Sequence, residues 1–191
     1  GRGKPVYMVL QAFSWNELGD YYGAKETAYP TFAESRFMAY DAIAHGADGI
    51  LYWGSYALKS EAFRQSLYAL TSELAALQAF LAVPDVSDVR LSVIEMPNPA
   101  APAPSIKLIA RQAADDWLFV FINEDEENRM GVVVEGLHTL ENKTLQLLYG
   151  DETATVAHGE LITRLQAREV KAFATRTDFE SPRHDGRDFI Q

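Results

Sequence analysis

The chain has 191 residues, 27 of them Asp or Glu against 17 Lys or Arg, giving a net charge of -10 and a pI near 4.8. That balance argues against nucleic acid and anionic membrane surfaces as partners, while 48% hydrophobic and 12% aromatic residues exclude a disordered or fibrous chain. Without cysteine there is neither a disulfide nor thiolate chemistry, and the compartment stays open.

No apolar run is long enough for a membrane span. Residues 1–83 read as strand, helix, strand, helix. Residues 6–13 are almost continuously apolar, as in a parallel strand covered on both faces, and the segment ends in Gln11, Phe13 and Trp15. The connection over 16–29 is rich in Gly, Tyr and acidic side chains, and loops of that length are commonly functional. Thr31 followed three residues later by Glu34 is a capping box that opens a helix. Ala33, Phe37, Tyr40 and Ala44 form its apolar stripe, which leaves Arg36 and Asp41 to solvent. Gly46 closes the helix, and residues 48–53 form a second strand ending in Tyr52, Trp53 and Ser55. Ser60 caps the next helix, whose Phe63, Leu67, Leu70, Leu74, Leu77 and Leu81 recur at steps of three and four until Pro84.

Residues 84–105 read as a Pro- and Ala-rich linker with a short strand at 91–95 before its prolines. Beyond it the period becomes that of strands: 106–111, 117–123, 130–135, 143–149, 153–157, 159–165 and 169–175. Seven short strands separated by turn signals predict an antiparallel β-sandwich over 106–176. The remaining 177–191 form a polar tail, which Phe189 and Ile190 could pin down.

The fold class is therefore α/β followed by all-β. Two parallel strands with aromatic and polar C-terminal ends, joined by one helix, are the repeating unit of a β/α barrel. A whole barrel takes about 250 residues, and two units alone would leave apolar strand edges open to water. The remaining units must come from the same chain or another one.

The blocks KPVYMVLQAF and PTFAESRFMAYDAIAHGADGILYWGS resemble the seventh and eighth strand–helix units of bacterial glycoside hydrolase barrels. GELITRLQAREVKAFAT resembles the last part of the small β-sandwich that often follows such barrels. The resemblance covers nearly the whole chain. It implies a carbohydrate substrate, an N-terminal barrel portion to complete the site, no cofactor, and a secreted or periplasmic setting.

Glycoside hydrolysis uses two carboxyl groups flanking the scissile bond. Neither strand ends in one, and Gln11 stands where many such barrels carry a catalytic Glu. Glu17 and Asp20, in the loop past the first strand, are the nearest candidates, with a solvated acidic loop as their bland reading. The catalytic pair is thus expected outside this chain, and the isolated chain is expected to be inactive. Gln11, Phe13, Trp15, Tyr52 and Trp53 are the candidate substrate-binding residues, because sugar C–H faces pack on aromatic rings; Tyr21 and Tyr22 would extend that wall. The four histidines are scattered and no metal site is expected from their spacing; the acidic run 123–128 reads as a hairpin turn. A non-catalytic carbohydrate-binding or scaffold protein is the alternative.

Overall fold

The computed structural model describes residues 3–18, 27–95 and 105–181. It is a mixed fold with one small parallel sheet, two antiparallel sheets and few helices. Strands β1 (Tyr7–Gln11) and β2 (Gly49–Trp53) pair in parallel, Tyr7 opposite Gly49 and Gln11 opposite Trp53. Helix α1 (Phe32–Ala44) connects them, and α2 (Glu61–Ala76) and the single turn α3 (Gln78–Leu81) follow. The predicted caps form as expected. Glu34 N–H donates to Thr31 Oγ1 at 3.2 Å while Thr31 N–H donates to Glu34 Oε2 at 2.8 Å, and Ser60 Oγ accepts from Phe63 N–H.

One face of the parallel sheet is covered. Leu10, Ile50 and Tyr52 pack with Ala39 of α1 and Leu70 of α2. The other face is bare, with Val9 55% and Leu51 54% exposed. Among the described residues neither strand has a second neighbour.

Antiparallel strands make up the rest: β3 (Arg90–Glu95), β4 (Ile106–Ala113), β5 (Asp116–Asn123), β6 (Met130–Glu135), β7 (Thr144–Leu147), β8 (Thr153–Thr155), β9 (Glu160–Leu165) and β10 (Val170–Ala174). They form a five-stranded sheet in the order β4-β5-β10-β7-β8 and a three-stranded sheet in the order β3-β6-β9. Between the two lies one apolar core, built from Phe119, Phe121 and Phe173 on one side and Val132, Val134 and Leu161 on the other. The turn into β9 has positive φ at both His158 (57°) and Gly159 (72°), the backbone of a type I′ turn.

The short strand expected at 91–95 forms as β3 and pairs with β6 over Arg90 to Glu95. Two other expectations are corrected. The tail does not begin loosely at 177, since the Phe179 ring meets Phe80 edge-on at 4.9 Å and Ser181 N–H donates to the Tyr149 hydroxyl oxygen at 2.7 Å. Pro97, Pro99, Pro102, Pro104, Phe189 and Ile190 lie outside the described residues. Arg36 does not face solvent; it is buried against Glu73.

The correction at Arg36 follows from how α1 is packed. It is covered on two sides: Ala39 faces the parallel sheet, whereas Tyr40, with Phe37 and Ile43 beside it, packs with Leu118, Val120 and Ile122 of β5. Strand β5 is in turn buried on both faces, which accounts for its unbroken apolar run WLFVFI.

Candidate functional site

Past Gln11 the chain stays beside β2, with Ala12 N–H donating to the Trp53 carbonyl at 2.9 Å. That carries Phe13 to the C-terminal end of the sheet, where it is buried as the hub of an aromatic cluster. Its ring meets Trp15 at 4.8 Å and 89°, and Trp53 at 5.1 Å and 87°. Tyr56 meets Trp53 at 6.3 Å and 87°. Edge-to-face contacts of this kind hold rings in fixed orientations. Trp15 and Trp53 are each 46% exposed, so each indole is held on one side and open to solvent on another. Gly54 makes the arrangement possible: its φ is +82° and a Cβ there would lie 2.5 Å from Phe13 Cδ1.

The other sequence candidates take different places. Gln11 turns its amide back on the chain, Nε2 donating to the Phe13 carbonyl at 2.8 Å, and so braces the turn that presents the cluster. Tyr52 points to the helix side of the sheet, away from Trp53, and packs near Leu10, Ala12 and Phe63. Its hydroxyl is buried without a hydrogen-bond partner among the described residues, and burial pushes its pKa up to about 12. Glu17 accepts the hydroxyl hydrogen of Tyr29, whose oxygen in turn accepts from Lys59 N–H at 3.1 Å and Ser60 N–H at 3.3 Å. Burial, then the bond to Glu17, raises the Tyr29 pKa. Glu17 therefore ties the long connection to the start of α2. Ser14, fully buried, helps from the other end by accepting from Ala28 N–H at 2.9 Å. Asp20, Tyr21 and Tyr22 lie outside the described residues.

Beside the cluster opens a cleft of about 520 Å³, lined by Gln11, Trp15, Tyr29, Glu34, Phe37 and Arg168 among others. Arg168, at the turn between β9 and β10, comes from the far end of the sequence and carries no local signal that would place it here. Tyr56, 80% exposed, also escaped the sequence reading, although its position three residues past Trp53 was a usable clue.

At the C-terminal end of α1, the end away from Glu34, three donor side chains converge: Asp41, His45 and Glu124. Asp41 and His45 are one helical turn apart, a signal that a search for His–His spacing passes over. The acidic run holding Glu124 is a satisfied turn rather than a hairpin. Asp125 Oδ1 accepts from Glu127 N–H at 2.9 Å and Asn128 N–H at 2.7 Å, and the chain crosses from one antiparallel sheet to the other.

No family model matches the sequence, and no curated protein does. Solved structures do share the fold. AmyP in complex with maltose aligns over 90% of this chain with a TM-score of 0.50 and 17% identity. The alpha-amylase of Geobacillus thermoleovorans, complexed with acarbose, aligns over 89% with a TM-score of 0.51 and 12% identity. This chain spans only 41% of the first and 38% of the second. The likeness is one of fold: the mixed helix-and-sheet arrangement seen here matches part of each of these larger chains. The identities carry it no further than fold.

Proposed function

We propose that this chain is the closing part of a glycoside hydrolase, the last two strand–helix units of a (β/α)8 barrel followed by a β-sandwich. The preceding units of the same polypeptide would cover the bare face and edges of the β1–β2 sheet. One observation carries the reading: Phe13 holds Trp15 and Trp53 half-exposed at the C-terminal end of parallel strands, the end at which β/α barrels bind substrate. Fixed indole rings offer a surface for the C–H faces of a sugar. Trp15 and Trp53 form that wall, Phe13 orients it, and Gln11 braces the turn that carries it, whereas Tyr52 packs on the helix side of the sheet. The shared fold with enzymes crystallised with maltose and acarbose makes an α-linked glucan the first substrate to try.

The strand ends carry no carboxylate, and Glu17 is engaged by Tyr29. The acid and base of glycoside hydrolysis then lie on earlier strands, and this chain alone turns over nothing. The test is a pair of measurements on the purified 191-residue chain. No aryl glycoside should be hydrolysed, and tryptophan fluorescence should change on titration with maltooligosaccharides, an effect that Trp53→Ala abolishes. Detectable turnover would overturn the missing-carboxylate reading. Binding that survives deletion of residues 1–82 would favour a carbohydrate-binding module built on the antiparallel sheets.

A further inference from the structure

We propose that Asp41, His45 and Glu124 form a divalent transition-metal site, suited to Zn²⁺, at the junction of α1 with the five-stranded sheet. The site is independent of the aromatic cluster and of any glycosidase reading.

Two elements distant in sequence supply the donors. Asp41 and His45 lie on one face at the end of α1, and Glu124 leaves the end of β5. His45 Nε2 is 2.7 Å from Glu124 Oε1 and 3.6 Å from Asp41 Oδ1, and the three donor atoms all lie within 4.8 Å of one another. Around a tetrahedral Zn²⁺, donors at about 2.1 Å lie roughly 3.4 Å apart. Small side-chain rotations therefore accommodate the ion.

The donor types select the metal class. One imidazole nitrogen with two carboxylates suits zinc and its first-row neighbours, whereas Ca²⁺ takes six to eight oxygens and Mg²⁺ keeps several waters. Three protein donors would leave a fourth position to water. Asp41 Oδ1 is a buried oxygen whose ion-pair contact, His45 Nε2 at 3.6 Å, lies beyond hydrogen-bond distance. The Ser105 hydroxyl donates to Glu124 Oε2, which fixes that carboxylate with Oε1 turned to the imidazole. His45, 50% exposed, leaves the ion a way in.

One cation competes for the position: Lys107 Nζ lies 3.9 Å from Glu124 Oε1. When bound, the ion would brace the end of α1 against β5.

Isothermal titration of the 191-residue chain with ZnCl₂ at pH 7.5 tests the site. One saturable site is expected, weakened at least about tenfold by His45→Ala and by Glu124→Gln, and tightened by Lys107→Met. In the unsubstituted chain, Mn²⁺ should broaden the His45 ring resonances before those of His138, His158 or His184. No saturable binding, an affinity untouched by both weakening substitutions, or broadening that begins at another histidine would each overturn the proposal.

Discussion

Arg36 Nε lies 2.9 Å from Glu73 Oε1, a contact between α1 and α2 in which the Glu73 side chain is fully buried and that of Arg36 only 13% exposed. The Tyr40 hydroxyl donates to the same Glu73 oxygen at 2.7 Å, and Arg36 Nη1 donates to the Val170 carbonyl at 2.6 Å. Burial, and then the neighbouring carboxylate, push the Tyr40 phenol well above its usual range. One ion pair thus ties both helices to β10, joining the parallel unit to the antiparallel one.

Breaking that pair from one side leaves a buried charge without its partner. Glu73→Gln should cost about 3–5 kcal/mol, read as a lower urea midpoint. The double change Arg36→Met with Glu73→Leu should cost clearly less than the two single changes summed, since no charge is then stranded. A Glu73→Gln protein within about 0.5 kcal/mol of the parent would show that the pair holds nothing together.

Gly54 and Gly46 both have positive φ, +82° and +89°, but only a Cβ at Gly54 would meet anything, the Phe13 ring at 2.5 Å. Gly46→Ala should cost about 1–2 kcal/mol of backbone strain alone. Gly54→Ala should cost more and alter the near-ultraviolet circular dichroism and tryptophan emission, because Phe13 must move and Trp15 and Trp53 with it. Equal costs with unchanged spectra would mean that Phe13 does not set the ring positions.

Asp125 gives a pH signature. Backbone N–H groups of Glu127 and Asn128, and then the Asn128 side chain, hold its pKa below the usual carboxylate value. A depressed folded-state pKa contributes stability above the unfolded-state pKa, near 3.9, and that contribution is lost as pH falls through the folded value. Asp125→Ala should lower the melting temperature at pH 7 and make progressively less difference on acidification below about pH 4. A penalty constant with pH would assign the loss to packing rather than to charge.

The sequence was most readable where structure is local. Thr31, Glu34, Gly46 and Ser60 mark helix ends through contacts three or four residues away, and the short strands of the antiparallel region announce themselves by turns. Reading failed where a partner lies far along the chain. The amphipathic stripe assigns α1 one buried face and so leaves Arg36 to solvent, whereas α1 has two such faces and the groups that receive Arg36 are Glu73 and Val170. Strand β3 is legible as a short strand at 91–95, but its pairing with β6, some forty residues away, is not. At the candidate site the aromatic trio Phe13, Trp15 and Trp53 was visible as residues at two strand ends. The inward turn of Tyr52, the back-bonding of Gln11 and the arrival of Arg168 depend on packing that no spacing rule contains.

What covers the β1–β2 sheet decides the proposed function, and the coding sequence upstream of Gly1 in the same reading frame tests this most directly. An eight-stranded barrel requires about six further strand–helix units there, with a carboxylate at the end of the fourth or sixth strand. An upstream frame without such units would leave the sheet with no barrel to close and would contradict the proposed function.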